Sequence, residues 1–380
     1  MTKSFETFPL PAETVNGIAL FDANNLANHI GVSVKSLWYC VLASDKEKYH
    51  QFHIRKKNGT IRTLHAPNPA VKFIQKRLNK NLLNLLQDKL PEYVTAYRPN
   101  HNIPEAVKRH VATCPICDSA EQTPPKHNCP RKGAYIQMDL TNFFHNTKRR
   151  WVGNVLEKTL GLPNAVAGPI RDIVTVRDIP CFKRGSKRYG VPQGAPTSGS
   201  ICNLVAYYRL DLPICEYLAE LNTHYSLKDE RVWVYSRYAD DLAFTCGRDF
   251  PFTEKVQIVR DLIHHIEQTG YTVNRYKVHI RSSHRNKDLL GLNFNDRITI
   301  SRTEYLRLRA IVHNSLVYGL ETQYERAGFK TPMELLHWLR GKVQYVKYVD
   351  PAKGTNLHRE LLGAIHNYQT LYDSQNRPSR

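Results

Sequence analysis

The sequence has no apolar run near the roughly 18 residues that a helix needs to cross a bilayer. The segment Met1 to Leu10 also lacks the apolar core of a secretory signal peptide. Cysteine is too scattered for a disulfide framework, because most of the eight stand alone in apolar segments, as reduced core residues do. No internal repeat is present. These absences predict a cytoplasmic protein that does not bind a membrane.

Acidic residues are in deficit. The chain carries 54 Lys and Arg against 34 Asp and Glu, a formal net charge of +20 that is spread along its length. Such a surface suits a polyanion, so nucleic acid is the leading partner, and a membrane surface is the rival that the missing apolar run disfavours. With 41% hydrophobic and 10% aromatic residues, the 380 positions are enough for two or three subdomains with sizeable cores.

The most informative stretch runs from Ser236 to Phe244, where strand-forming residues flank the adjacent carboxylates of Asp240 and Asp241. Ala239 and Asp240 fall where a tight hairpin turn is expected. Because adjacent like charges repel, a fold that places them at a turn usually binds cations there, and magnesium is the natural ion. For the Asp-Asp dipeptide by itself, a solvated turn is the competing interpretation.

A second acid lies at the end of another short strand. Tyr135 to Asp139 form an apolar segment that ends on a carboxylate, and Phe143 and Phe144 follow it. Two hard cations about 3.5–4 Å apart need a further carboxylate to hold them, and Asp139 is the best candidate. The acid-x-x-x-aromatic-aromatic strand and the Tyr-x-Asp-Asp hairpin together resemble the palm motifs of the reverse transcriptases.

This resemblance implies an α+β right-hand polymerase fold with fingers, a helical thumb and a palm whose antiparallel sheet carries Tyr-Ala-Asp-Asp. We expect the fingers in residues 1–133, the palm in 134–300 with part of the fingers inserted, and the thumb in 301–380. Helical periodicity predicts helices from Pro69 to about Leu90, from Phe252 to Gln268, and over most of the chain after Arg302. No RNase H or nuclease motif follows the thumb.

Two further motifs resemble nucleotide-binding segments of that family. Strand-like residues around an Asn-Gly turn predict a fingers hairpin, and the resemblance implies that Arg62 and one of Lys56 or Lys57 meet the triphosphate. A solvated edge protected by charge is the alternative. The Pro-Gln-Gly-x-Pro-x-Ser motif implies that Gln193 and Gly194 border the incoming nucleotide and the template, whereas a loop with a helix cap is the plainer interpretation.

Two other residues take their roles from the same resemblance. The stretch Gly270 to Lys277 resembles the Gly-aromatic-x-x-Asn-x-x-Lys motif, which implies that Lys277 lies near the departing pyrophosphate, where a cation offsets developing charge. Phe144 lies five residues after Asp139, where the family places an aromatic ring against the sugar 2′ position. Core packing is the alternative role of Phe144.

An insertion at about residues 113–130 breaks the surrounding pattern. It holds Cys114, Cys117, His127 and Cys129, four soft ligands close enough in sequence to close a tetrahedral zinc site. The residues between the two pairs are polar and rich in proline, so zinc would supply the stability that a core does not. A loop with three free thiols is the alternative.

Among reverse transcriptases, the chain looks most like the bacterial retron enzymes. This resemblance implies that it copies a structured non-coding RNA into a short single-stranded DNA, in anti-phage defence. Retron enzymes commonly carry Asn-Ala-x-x-His and Val-Thr-Gly elements, where this chain has Glu105 to His110 and Leu289 to Gly291. Another defence-associated or group II intron-like reverse transcriptase, and a non-catalytic RNA-binding scaffold, therefore remain as alternatives. An effector protein encoded nearby is a further expected partner.

The expected mechanism places Asp139, Asp240 and Asp241 as the catalytic acids. Asp139 and Asp240 hold two magnesium ions, one lowering the pKa of the primer hydroxyl and the other neutralising the dNTP triphosphate, while Asp241 tunes the second carboxylate. An in-line attack on the α-phosphate then extends DNA on an RNA template.

Overall fold

The computed structural model describes residues 20–55, 59, 61–111, 133–179, 188–228, 232–281 and 286–375. Its helices are α1 (Ala23–Ile30), α2 (Val34–Leu42), α3 (Asp45–Lys48), α4 (Pro69–Leu78), α5 (Asn84–Gln87), α6 (Ile103–Lys108), α7 (Phe143–Asn146), α8 (Arg149–Asn154), α9 (Asn164–Val174), α10 (Ser198–Ala206), α11 (Leu212–His224), α12 (Phe252–Gln268), α13 (Arg302–Tyr318), α14 (Leu320–Gln323), α15 (Pro332–Val349) and α16 (Pro351–Gln375). The strands are β1 (Tyr49–Arg55), β2 (Ile61–Pro67), β3 (Tyr135–Asp139), β4 (Val176–Ile179), β5 (Arg188–Gly190), β6 (Trp233–Tyr238), β7 (Asp241–Cys246), β8 (His279–Arg281), β9 (Asp288–Leu289), β10 (Leu292–Asn293) and β11 (Thr299–Ile300).

The chain divides into two compact units, the first made of residues 1–109 and 124–283 and the second of residues 110–123 and 284–380. This division differs from the expected palm–thumb boundary at residue 300. The reason is that β9, β10 and β11 form a three-stranded sheet of their own and do not extend the sheet that contains β3.

The first unit is built on a four-stranded sheet in the order β6-β7-β3-β8. All three pairings in it are antiparallel, and β3 lies in the interior of the sheet between β7 and β8. Four of the five residues of β3 are buried, so both faces of this strand are covered. A strand with one solvated face would instead alternate buried and exposed residues. The predicted α+β class with an antiparallel palm sheet carrying Tyr-Ala-Asp-Asp is confirmed.

The fingers part of this unit begins with short helices and a hairpin. Strands β1 and β2 pair antiparallel from Tyr49 with Pro67 to Arg55 with Ile61, so the predicted hairpin is confirmed and is longer than expected. The α4 helix then starts at an N-cap, where Oδ1 of Asn68 accepts a hydrogen bond from the amide of Val71 at 2.8 Å and proline occupies the first turn. A π-helical turn at Asn79–Leu83 joins α4 to α5, which gives the helical stretch predicted from Pro69.

The second unit consists of the small sheet and the helices α13 to α16. Its core contains one face of α15 and α16. Of the apolar residues that the periodicity placed on these faces, Leu335, Leu339, Val343, Val346, Leu357 and Leu361 are buried, and Trp338, Ile365 and Tyr368 are partly buried. The helices cross closely, because a Cβ at Gly354 would lie 2.1 Å from the Cα of Lys347. Within the described residues of either unit, no helix is both long enough and apolar enough to span a bilayer.

Candidate active site

The turn of the β6–β7 hairpin presents Asp240 and Asp241 at one edge of the palm sheet. Tyr238 pairs with Asp241 across the hairpin, which leaves Ala239 and Asp240 as the two turn residues, as predicted. Ala239 adopts φ +58°, in the left-handed region that non-glycine residues seldom occupy. Backbone strain of this kind collects at functional sites, where the surrounding structure holds it in place.

Asp139 ends β3 at the same edge. It is the register partner of Asp241, so their side chains leave the same face of the sheet. The amide of Leu140 donates to the carbonyl of Asp240 at 2.9 Å, which ties the hairpin turn to the end of β3. The structure therefore brings Asp139 together with Asp240 and Asp241, which follow it about one hundred residues later in the sequence.

A loop after α12 closes the other side of Asp139. The amide of Asn274 donates to the Asp139 carbonyl at 2.8 Å, and Nζ of Lys277 lies 2.7 Å from Oδ2 of the Asp139 carboxylate. Lys277 sits in a 3₁₀ turn at Arg275–Lys277, whose N-cap Asn274 accepts from the amide of Tyr276. Lys277, which was predicted to lie near the departing pyrophosphate, therefore contacts Asp139, one of the predicted metal ligands.

The two hairpin carboxyls are harder to ionise than an ordinary aspartate. Burial raises the pKa of Asp240, and the neighbouring Asp139 raises it further. Burial, followed by the charges of Asp240 and Asp139, raises the pKa of Asp241 to about 6, although Lys277 and a hydrogen bond from Gln137 oppose the shift. Confined like charges of this kind attract cations.

The nucleotide-binding candidates approach from the fingers. The carbonyl of Gln193 accepts from the amide of His65 in β2 at 2.8 Å, so the Pro-Gln-Gly loop is attached to the fingers hairpin. Gly194 has φ +112°, which favours glycine, and a Cβ there would lie 3.4 Å from the His65 carbonyl oxygen. Arg62, also in β2, is close enough for its charge to oppose the rise in the Asp240 pKa. Lys56 lies outside the described residues.

Comparison with known proteins identifies the fold that carries this geometry. The family model described as "Reverse transcriptase (RNA-dependent DNA polymerase)" matches residues 54–294, well over half of the chain. The chain belongs to the reverse transcriptase family. Both carboxylate motifs, strand β2 of the fingers hairpin and Lys277 lie inside the matched segment.

Curated relatives are retron reverse transcriptases. The chain is 28% identical over 347 residues to "Retron Mx65 reverse transcriptase" of Myxococcus xanthus, covering 88% of this chain and 70% of that protein. It is 25% identical to "Retron Ec48 reverse transcriptase" of Escherichia coli, covering 76% of this chain and 63% of the relative. For "Retron Se72 reverse transcriptase" of Salmonella heidelberg, identity is 23% and the match covers 70% of this chain and 58% of the relative.

Solved structures with similar folds include telomerases. An apo telomerase from Candida tropicalis gives a TM-score of 0.46 at 12% identity, covering 87% of this chain and 59% of the other. Its form truncated from the C-terminal domain gives 0.44 at 13% identity, covering 68% of this chain and 56% of the other. Scores below 0.5 at such identity carry no argument about function.

Reverse transcriptases generally depend on divalent metal ions, and the chemistry of the three carboxylates fits such ions. Hard oxygen donors that repel one another are the donor set of a magnesium or manganese site. Among the residues that the structure describes, however, no group of three His, Cys, Asp or Glu side chains is arranged to hold a metal. The ammonium of Lys277 pairs with the Asp139 carboxylate instead. The side chains of Lys277 and of the three aspartates must therefore move before they can enclose a metal ion.

Phe144 lies beside the site at the start of α7. Its ring meets Phe143 edge-on with centroids 5.6 Å apart, and it also meets Tyr97 edge-on at 5.9 Å. Phe143 in turn stacks on Tyr271, with centroids at 5.7 Å and an interplanar angle of 27°. Phe144 is only partly buried and packs against the core, so its position is compatible both with core packing and with contact to a bound nucleotide.

A buried polar network behind the hairpin was not predicted. Arg237, three residues before Asp240, forms a two-pronged ion pair with Asp211, with N–O distances of 2.8 and 2.8 Å, and both side chains are fully buried. Nη1 of Arg237 donates to Oδ1 of Asn203 at 2.9 Å, and Tyr235 donates its hydroxyl to Asp211. The available signal was a charged residue within each of two apolar segments, but the sequence does not show that the two charges pair.

The predicted zinc ligands Cys114, Cys117, His127 and Cys129 lie outside the described residues, so the zinc site stays a prediction. The four cysteines that are described, Cys40, Cys202, Cys215 and Cys246, are buried and form no disulfide with one another, as the scattered pattern predicted.

Proposed function

We propose that this protein is an RNA-directed DNA polymerase of the retron type. The single observation that carries the proposal is the meeting of Asp139, Asp240 and Asp241 at one edge of a reverse transcriptase palm. The curated relatives, all named retron reverse transcriptases, support the subfamily. The net charge of +20 supports a nucleic-acid partner.

In this proposal Asp139, Asp240 and Asp241 hold two magnesium ions. When bound, such ions lower the pKa of the attacking hydroxyl and neutralise the triphosphate. The protein's own part is to fix the backbone of the hairpin, through the Leu140–Asp240 hydrogen bond and the strained Ala239. Because the backbone that carries the acids is preorganised, only the carboxylate side chains and Lys277 have to move when the ions bind.

Cationic side chains handle the phosphates. Arg62 reaches the triphosphate from the fingers, together with Lys56. Lys277 exchanges its contact with Asp139 for the departing pyrophosphate, because its side chain is 59% exposed and can turn outward. Gln193 and Gly194 border the incoming nucleotide, with their loop held by the His65 amide. Phe144 lies against the sugar 2′ position and excludes ribonucleotides.

The template and primer are a structured non-coding RNA. A 2′-hydroxyl of the RNA can serve as the nucleophile in place of a 3′-hydroxyl, since both are alcohols that a metal ion can activate. The product is then a short DNA joined to RNA. Basic surfaces would hold the folded RNA by its shape, through phosphate and 2′-hydroxyl contacts. A cytoplasmic location, a role in anti-phage defence and a nearby effector protein complete the proposal.

The central experiment uses Asp240→Asn, which removes a carboxylate charge and adds no bulk. We expect it to abolish metal-dependent dNTP incorporation while RNA affinity stays near that of the wild type. Both quantities are measured on one preparation, with Glu92→Gln as a matched control that changes an acid 89% exposed on the surface. Substantial extension by Asp240→Asn would remove that residue from the metal site, and absence of extension by the wild type would favour a non-catalytic RNA-binding scaffold.

The retron assignment has its own test. The gene is expressed with its upstream flanking sequence, and the nucleic acid is analysed before and after RNase and debranching treatment. A DNA of defined length whose mobility shifts on debranching supports a 2′-linked product. DNA with a free or protein-linked 5′ end would move the protein to another defence-associated or group II intron-like class.

A further inference from the structure

Tyr97 is held in a backbone conformation that its residue type rarely adopts. Its φ is +58°, in the left-handed region, and it follows the buried Ala96 in the fingers loop. A bulky side chain remains there only when the surrounding structure fixes it, and such positions cluster at ligand-binding sites. The conformation of Tyr97 therefore calls for a specific explanation in the residues around it.

The α10 helix fixes Tyr97 from below. Gly199 in its first turn lies under the ring, and a Cβ on that glycine would fall 2.3 Å from Cγ of Tyr97. One turn later, Nδ2 of Asn203 donates to the carbonyl of Ala96, the residue before Tyr97. Asn203 also accepts from Arg237, so the same amide ties the Tyr97 loop to the strand that leads into the Asp240 hairpin.

The ring of Tyr97 points into the catalytic neighbourhood. It meets the Phe144 ring edge-on, with centroids 5.9 Å apart and an interplanar angle of 67°. The residue is still 50% exposed, so the ring has a free side. Burial and then the charge of Asp240 raise the pKa of the Tyr97 hydroxyl to about 12, which places that hydroxyl within the field of the catalytic carboxylate.

We propose that Tyr97 is a specificity-determining residue of the nucleotide pocket, which acts by bracing the Phe144 ring against the sugar of the incoming nucleotide. This inference rests on the proposed polymerase function. Phe143, the other ring that contacts Phe144, is itself held by Tyr271 at 5.7 Å. Phe144 therefore contacts two rings, of which Phe143 is buried and Tyr97 is half exposed.

The contact from Tyr97 matters because a steric gate can distinguish deoxyribose from ribose only if its side chain is held in position. Without the Tyr97 ring, Phe144 can rotate away and admit a 2′-hydroxyl. Gly199 is the residue that makes the bracing possible, since a larger side chain there displaces Tyr97. Changes at Tyr97, Phe144 and Gly199 should therefore all alter sugar selectivity.

The experiment measures kcat/KM for a dNTP and for the matching rNTP, and their ratio defines sugar selectivity. We expect Tyr97→Ala to lower that ratio by about tenfold, the scale of discrimination lost when a pocket wall yields. Tyr97→Phe keeps the ring and should keep the wild-type ratio. Gly199→Ala should lower the ratio in the same direction as Tyr97→Ala, and thermal unfolding of each variant verifies that it folds.

A double-mutant comparison shows whether Tyr97 acts through Phe144. If it does, Tyr97→Ala combined with Phe144→Ala has the same selectivity as Phe144→Ala by itself. Tyr39→Ala is the matched control, because that tyrosine is 62% exposed on α2 and should leave the ratio unchanged.

The outcomes separate this inference from the proposed function. If Tyr97→Ala lowers kcat/KM equally for both sugars, or if the two alanine changes add, then Tyr97 does not brace Phe144 and the inference is overturned. If the wild-type protein incorporates no nucleotide, the polymerase proposal fails before Tyr97 is tested.

Discussion

The ammonium nitrogen of Lys277 lies 2.7 Å from Oδ2 of Asp139, and the hydrogen bond to Asp139 raises the Lys277 pKa. A protein cation thus contacts the carboxylate that we propose as a metal ligand. Since Lys277 is well exposed and Asp139 is nearly buried, the lysine is the partner that can leave. Metal binding and the release of Lys277 are therefore expected to be coupled.

Lys277→Gln should separate these two effects. We expect KM for dNTP to rise, because the cation for the phosphates is lost, and the magnesium concentration at half-maximal activity to fall, because Asp139 loses its competitor. Steady-state kinetics over a magnesium series measure both. Arg275→Gln is the control, since Arg275 pairs with Glu267 at 2.8 Å and not with a catalytic acid. An unchanged magnesium requirement would show that Lys277 does not compete with the metal.

Asp241→Asn should stabilise the metal-free protein at neutral pH. The folded-state pKa of Asp241 is raised to about 6, so the folded state loses stability as pH rises from the ordinary aspartate pKa through 6. At pH 7.5 the charge on Asp241 lowers the free energy of unfolding by about 3 kcal/mol, a cost that Asn removes. Denaturant unfolding in a chelator should show a more stable variant at pH 7.5 and little difference near pH 4.

The effect of magnesium on stability provides a second test of the same prediction. The ion should stabilise the wild type more than Asp241→Asn, because it neutralises the repulsion that the variant has already lost. A variant less stable than wild type at pH 7.5 without metal would mean that the hydrogen bond from Gln137 outweighs the repulsion.

The buried Arg237–Asp211 pair should be intolerant of single changes. Arg237→Met leaves a buried, unpaired carboxylate and should destabilise the protein by about 3–5 kcal/mol. Arg237→Lys should not restore stability, because an ammonium cannot reproduce the two-pronged contact. Chemical unfolding measures both, and Arg275→Gln, at an exposed pair, should change stability by less than about 1 kcal/mol. A small effect of Arg237→Met would show that the network adapts.

The insertion offers a direct metal measurement. If Cys114, Cys117, His127 and Cys129 form a closed tetrahedral site, purified protein contains about one zinc per chain. Elemental analysis should show that Cys117→Ser loses this zinc, whereas Cys40→Ala, at a buried free cysteine of α2, retains it. Wild-type protein without zinc would leave the insertion with free thiols.

Several elements could be predicted from the sequence because their signals are local. The tight turn at Ala239 and Asp240, the helix Phe252–Gln268 and the apolar faces of α15 and α16 follow from residue preferences and periodicity within a few turns of chain. The three acids proposed as catalytic also came from motifs, each of them short and contiguous. In these cases the nearest neighbours in sequence are the ones that determine the structure.

Long-range pairing was decided by the tertiary structure. In the sequence, Asp211 and Arg237 look like isolated charges in apolar segments. The structure shows that they form an ion pair with each other. A buried charge needs such a partner, and no local sequence pattern identifies it. The left-handed Tyr97 is likewise explained by Gly199, about one hundred residues later. The small β9–β11 sheet belongs to the second unit for the same reason, since its location depends on which surfaces pack together and not on its own residues.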